Sequence, residues 1–415
     1  MRSTQHGTSA PDLHGQHKTE KAAKENVNLE EQDTQTAVVE KESRSCTVRR
    51  EHNQYPGKRL TYETPYISYK GLSDAAARRT SVEILPGDGK EWLAMDSGPA
   101  DEPREFLLVE GNLGIPQKLL YKAYIEATLA FKKTRLTLRR DPHTIDAGLA
   151  GTVTGITAVL LVANAGHQSA WNARKQIVES GHRDLHDELS LLRALLTIRD
   201  CAKHSLLWHH RRWLLRQLCK RRATTDADSS DDGTSDEDTL RYLDMTPSQL
   251  RAEFDACALA ATTYERNYFA WAHRARCLDA LVSLCRGKDH EYLDILQEET
   301  QNVSLWIDRH VGDYTAMQYR CRLALFTHPL TLPPPAPESP YAHAKSLVEA
   351  YPEHESLWAY LRSAAQVANV SEDDIRPFAE KFWHQRTNVD SPASQASHRH
   401  AKRCLDWLSR RFPHS

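Results

Sequence analysis

Hydrophobic positions in this chain recur at helical spacing, and one short block is copied along it. HSLLWHHR at 204–211 is matched by HQSAWNAR at 167–174, NYFAWAHR at 267–274, DYTAMQYR at 313–320 and HESLWAYL at 354–361. The shared frame is His, Asn or Asp, then Trp four positions on, then Arg three further, carried by Trp171 and Arg174, Trp208 and Arg211, and Trp271 and Arg274. Met317 stands for Trp in the fourth copy, before Arg320, and Leu361 stands for Arg in the fifth, after Trp358. Seven residues beyond each Trp position lie Val178, Leu215, Leu278, Ala324 and Ala365. Offsets of 0, 3 and 7 share one helix face, so each copy predicts a helix with an inward stripe that begins at the Trp. Twelve residues earlier stand Val159, Leu196, Leu259, Leu305 and Ser346, apolar in four of five copies, which predicts a preceding helix. DLHDELSLLRALLTIRD and TPSQLRAEFDACALA suit that helix, the second opening with a Thr246…Gln249 capping box. The unit is a helical hairpin. Its copies predict an all-α chain, an α-α superhelix built as a right-handed solenoid of about five antiparallel helical hairpins.

Successive Trp positions are 37, 63, 46 and 41 residues apart. The long interval holds ATTDADSSDDGTSDEDT, an acidic insertion at 223–239, and HPLTLPPPAPESP at 328–340 predicts a proline-rich linker. SEDDIRPFAEKFW and the run from Ser391 to Arg411 predict two closing helices. The apolar stretch near 149–166 is too short and too broken by Gly and Thr for a bilayer span, and predicts a buried core helix. Upstream, Phe106–Val109 fits a short strand or an extended segment, Gly111, Gly114 and Pro116 break the chain, and a helix follows from about Gln117 to Arg139. Residues 1–89 predict a mostly disordered extension, since their polar composition buries too little surface to offset ordering, and 90–415 predict the helical-repeat domain.

Charge and candidate chemistry narrow the function classes. A net charge of −2 argues against a general nucleic-acid binder. Eight scattered cysteines without a CxxC, and no basic-then-apolar leader at Met1, point to reduced thiols and a cytoplasmic location. His182 and His186 have the spacing of a metal pair but no placed third ligand, and Cys201, His204, His209 and His210 fare no better. No metal site and no cofactor site are expected in this chain. A side chain repeated in every unit reads as packing: a buried indole between hairpins, and an Arg whose planar fork binds loop carbonyls or a carboxylate of the neighbouring repeat.

KHSLLWHHRRWLL and RNYFAWAHR resemble the repeats of protein prenyltransferase α subunits, whose hairpins carry Asn-Tyr-x-x-Trp-x-x-Arg. The resemblance covers roughly residues 90–370. It implies an α chain that wraps a separate α/α-barrel β subunit of the Rab geranylgeranyltransferase type. In that arrangement the β subunit binds the isoprenoid diphosphate and holds the zinc. The pair transfers an isoprenoid to C-terminal protein cysteines, as in a type III geranylgeranyltransferase, and the single chain is inactive. In the family the third repeat opens Lys-Asn-Tyr and its lysine reaches the diphosphate. Here the residues are Arg266, Asn267 and Tyr268, so Arg266 is the implied catalytic cation, with Asn267, Tyr268 and the second repeat's Lys203 as substrate or interface candidates. The competing class is a non-enzymatic helical-repeat scaffold for complex assembly.

Overall fold

The computed structural model describes residues 81–91, 106–140, 145–222, 239–286, 290–327, 338–384 and 391–412. By contacts the chain divides into two units, Met1–Thr64 and Pro65–Ser415, and every described residue lies in the second. Most of the expected N-terminal extension, most of the acidic insertion and 328–337 of the linker lie outside the described residues.

Fourteen helices and three short strands make up the described chain. Five hairpins follow the predicted frame. The first pairs α2 (Ala147–Ala163) with α3 (Gln168–Glu179). The second joins α4 (Leu185–Leu195) and the one-turn α5 (Arg199–Ala202) to α6 (Ser205–Leu218). The third pairs α7 (Pro247–Thr263) with α8 (Tyr268–Cys285), and the fourth pairs α9 (His290–Arg309) with α10 (Tyr314–Thr327). The fifth pairs α11 (Pro340–Ala350) with α12 (Glu355–Val367), and α13 (Glu372–His384) and α14 (Pro392–Arg411) close the array. Second helices pack in one unbroken row, α3 on α6, then α8, α10, α12 and α14. First helices pack likewise from α2 to α4 and from α5 through α7 to α9.

The inward stripe is present: Trp171, Trp208, Trp271, Met317 and Trp358 are buried, as are the residues seven further on, except half-buried Val178. The position twelve before Trp is less uniform than expected. Val159 and Leu196 are buried, but Leu259 is half-buried, Ser346 is exposed and Leu305 is 52% exposed. In α9 the buried positions are instead Val303 and Ile307, so the first helix of that hairpin is turned relative to the second repeat's. The frame's His, Asn or Asp is a helix N-cap. His167, His204, Asn267 and Asp313 each accept from a backbone N–H two or three residues on, which satisfies a donor the helix cannot.

Four boundaries differ from the expectation. Ser81–Leu85, placed by sequence in the disordered extension, forms strand β1. It lies parallel to β3 (Asn112–Pro116), whose other edge pairs antiparallel with β2 (Leu107–Val109). Gly111, Gly114 and Pro116 therefore do not break the chain. Glu110 and Gly111, both at positive φ, make the tight hairpin turn, and Gly114 sits where an added Cβ would meet Leu85 at 2.9 Å and Leu107 at 3.1 Å. The first helix of the second hairpin is interrupted after Leu195, where the Thr197 hydroxyl binds β1, donating to the Val82 carbonyl and accepting from its N–H. The linker ends earlier than proposed, because Ser339 N-caps α11 and Pro340 is already helical. Helix α1 (Gln117–Arg140) follows β3 directly, one residue longer than expected.

Candidate functional site

Each of the first three hairpins is joined to the next by one repeated polar device. Arg174 forms a two-pronged ion pair with Glu188 of the second hairpin's first helix, at 2.6 and 2.5 Å. Arg211 does so with Glu253 of the third, at 2.7 Å for both bonds, and Arg274 with Glu299 of the fourth, at 2.6 Å for both. A third partner reaches each carboxylate from two residues beyond the next Trp position. His210 lies 3.2 Å from Glu188, His273 lies 2.8 Å from Glu253, and the Tyr319 hydroxyl donates to Glu299 at 2.6 Å. The same residues pack, tilted, against the preceding Trp: Trp171 with His210, Trp208 with His273 and Trp271 with Tyr319, at centroid separations of 4.8, 5.0 and 5.5 Å.

All these charged groups are buried, so their protonation follows from their neighbours. Burial alone would push the Glu188 carboxyl up, but the Arg174 charge and bonds from His210 and Arg174 hold it well below the usual carboxylate range. Burial opposes Glu253 ionisation too, yet the Arg211 charge and the His273 and Arg211 hydrogen bonds bring it down to about 2. Burial lowers His210 and His273, with their Glu partners opposing. Each ring is therefore neutral, with Nε2 donating to the carboxylate and a bare Nδ1 that finds no partner.

Glu253, His273 and Cys277 place their donor atoms within 4.8 Å of one another. They do not suit a metal ion. Both Glu253 oxygens are held by Arg211, whose guanidinium already supplies the positive charge, and burial pushes the Cys277 thiol well above its ordinary value. The other described thiols are also buried. Burial raises Cys201 and Cys321 to about 12, and Cys219, Cys285 and Cys404 to about 11, so they stay protonated at neutral pH. His182 is tied to the Ile145 carbonyl at 2.6 Å, and His204 is an N-cap.

The residues implied by resemblance separate into two kinds. Asn267, expected at a substrate or interface, is buried. Its amide donates to the carbonyls of Ala202 and Ala260 while its oxygen caps α8, so it ties the second hairpin to the third. Lys203 is engaged by Asp200 at 2.8 Å and lies over the Tyr264 ring. Arg266 and Tyr268 are exposed, Tyr268 by 67%. Arg266 has φ +56°, and its guanidinium lies against Gly312 in the next turn, where an added Cβ would stand 2.9 Å from Nη2. Tyr268 also lines a cleft of about 520 Å³ between α8 and α10. Trp271 and Tyr319 line it too, beside Arg276 and the Arg322–Asp279 ion pair. Sequence reasoning did not single out Glu188, Glu253 and Glu299. Their carboxylates lie 20, 18 and 18 residues before the next Trp position, a signal outside the aligned block.

The profile of the family "Protein prenyltransferase alpha subunit repeat" matches residues 250–281, which is the third hairpin. The zebrafish (Danio rerio) Protein prenyltransferase alpha subunit repeat-containing protein 1 is 27% identical over 290 residues, 62% of this chain and 62% of that protein. The human (Homo sapiens) protein of the same name is 26% identical over 295 residues, covering 62% of this chain and 67% of its own length. A Xenopus laevis relative, protein 1-B, is 28% identical over 52% of this chain and 45% of itself. Thus the match spans about three fifths of the zebrafish relative and under half of the frog one. Among solved structures, Candida albicans protein geranylgeranyltransferase-I complexed with GGPP aligns at 18% identity and a TM-score of 0.45, over 80% of this chain and 87% of that one. That degree of likeness is too low to carry an inference about ligand or partner. By this profile match over the third hairpin and by these relatives, the chain is similar to proteins of the protein prenyltransferase alpha subunit repeat family.

Proposed function

We propose that this chain is the α-type scaffold subunit of a heterodimeric protein geranylgeranyltransferase. It pairs with an α/α-barrel β subunit of the Rab geranylgeranyltransferase type, which holds the zinc and the isoprenoid diphosphate. The observation that carries the reading is the third hairpin. It matches the family profile, and it presents Arg266 and Tyr268 to solvent at the start of α8, with Tyr268 lining the cleft. The buried Arg–Glu pairs are spent on joining hairpins and the described thiols are protonated, so the reaction's metal and thiolate chemistry falls to the partner and the protein substrate.

In this reading Arg266 faces the diphosphate. As the carbon–oxygen bond breaks, negative charge builds on the bridging oxygen, and a fixed cation stabilises that state more than the ground state. Arg266→Ala in the assembled heterodimer then lowers single-turnover transfer by about one to three decades, on the scale of losing one preorganised donor. Arg266→Lys retains most activity. Arg266→Gly is the sharper control, since it removes the charge while relieving the left-handed backbone. Co-expression with the β subunit tests the pairing itself. A stable complex that transfers a geranylgeranyl group is the expected result, with no transfer by the isolated chain. Recovery only in assembly complexes without a β subunit supports the scaffold class instead.

A further inference from the structure

Helix α1 is seated by Leu119, Leu120, Ala123, Ala127, Phe131 and Leu138, all buried. Its opposite face is not polar. Tyr121, Ile125, Leu129 and Leu136 are 44–65% exposed, and they account for four of the eleven large exposed hydrophobics among the described residues. At about 100° per residue they fall within one arc of roughly 120°. They run about 22 Å along the helix. Lys118, Lys122, Lys132 and Lys133 are exposed on the same arc. Among the described residues no carboxylate pairs with Lys122, Lys132 or Lys133, and Lys118 has only a 4.0 Å exposed contact with Asp88. Glu126, the helix's one acid, is half-buried off that arc.

The interleaving of charge and apolar surface decides the partner. Cores of protein–protein interfaces are depleted of lysine, because each ammonium there must be desolvated and paired. A lipid interface imposes no such register. It accepts Tyr, Ile and Leu at the acyl boundary while lysines reach up to the headgroups. We propose that the solvent face of α1 is a membrane-surface contact, laying Tyr121, Ile125, Leu129 and Leu136 into the headgroup boundary of an anionic bilayer while the four lysines meet its phosphates and carboxylates. The helix lies on the surface and does not cross, since no described helix is long and apolar enough to span a membrane. The inference stands apart from the transferase reading.

Cosedimentation of the full-length chain with vesicles tests it, using phosphatidylcholine alone and phosphatidylcholine mixed with phosphatidylserine. The expected result is partition onto the mixed vesicles only, abolished by raised salt. Lys118→Ser, Lys122→Ser, Lys132→Ser and Lys133→Ser together weaken partition by about two to three decades, since each lysine near an anionic leaflet contributes about fivefold. Ile125→Ser with Leu129→Ser, which leaves the seated face intact, also abolishes it without changing the melting temperature. No binding to mixed vesicles, or equal binding by either variant, overturns the proposal. If vesicles are ignored while Ile125→Ser/Leu129→Ser dissolves a self-associated form, the face is a protein interface and the proposal also fails.

Discussion

The first three joints of the array and the fourth are built from the same repeated Arg but close differently. Arg174, Arg211 and Arg274 each grip a Glu in the next hairpin's first helix. At the fourth joint the position 18 residues before Trp358 is Pro340, which has no carboxylate and begins α11. Arg320 is just as buried, but it donates to the Glu338 carbonyl at 2.6 Å and the Ser304 hydroxyl at 3.1 Å. The role of Tyr319 is altered at Tyr360, which meets His343 at 3.2 Å while His343 reaches Asp308 of α9. The row of first helices that runs from α5 through α7 to α9 also does not continue as closely to α11. A conserved frame residue thus specifies that a joint exists. Its partner specifies whether that joint is a two-pronged ion pair or a neutral tether.

Breaking the ionic joint is the largest expected effect. Glu253→Ala strands the Arg211 guanidinium in the core and costs about 3–5 kcal/mol. Trp208→Ala, a buried aromatic truncation at the same joint, costs a similar ~3–5 kcal/mol. Both are read as lost denaturation midpoint at unchanged activity per folded molecule. A Trp208→Ala protein of wild-type stability but without activity would show that the indole serves chemistry and not packing. Arg320→Met at the neutral tether leaves a carbonyl unpaired and costs about 1–3 kcal/mol. Equal losses for Glu253→Ala and Arg320→Met would erase the distinction between the joints.

A replacement of the whole ionic device sharpens the same point. Arg211→Met with Glu253→Leu and His273→Phe removes every buried charge at once, and such exchanges are often neutral or stabilising by ~1–4 kcal/mol. A loss as large as that of Glu253→Ala alone would mean that the pair contributes net stability beyond avoiding a stranded charge.

Titration separates the joints without mutation. His210 and His273 are depressed in the folded chain, so their contribution is complete above the ordinary histidine value of about 6.5 and declines as pH falls through it. Glu253 is depressed to about 2, so its contribution is complete above the ordinary carboxylate range and is lost as pH falls towards that value. Melting temperature should therefore hold steady above neutrality, begin to fall through the histidine range, and fall again in acid. A flat profile from neutrality down to the carboxylate range would contradict the neutral, Nε2-donating rings.

The smallest effect is expected at the acidic insertion. Its flanks are already closed, with the Arg222 N–H donating to the Tyr242 carbonyl and the Asp244 N–H to the Lys220 carbonyl. Replacing residues 226–238 by a short Gly/Ser loop changes closure entropy by only ~0.6 kcal/mol per halving of length. Thermal melts of the two forms should nearly superimpose, and a large loss of helix signal would show that the insertion packs on the domain.

Much of this was legible in the sequence because helical packing is periodic and local. The spacing of Trp, Arg and the apolar residue seven further on placed α3, α6, α8, α10 and α12, and Thr246 and Gln249 announced the start of α7. An Arg bound to a neighbouring carboxylate or a loop carbonyl was also foreseeable, and both occur. The chain alone thereby determined the hairpin, its copy number and the inward stripe of each second helix, since these depend on side-chain spacing within one or two helices.

Tertiary structure decided what depends on distance along the chain. β1 exists only because β3 and Thr197 satisfy its edges, one 31 and the other 115 residues away. Which Glu answers each Arg, and that Asn267 turns inward while Arg266 and Tyr268 face water, follow from how one hairpin lies on the next. A buried charge takes whatever counter-charge the neighbouring helix presents at bonding distance, and local periodicity carries no information about that register.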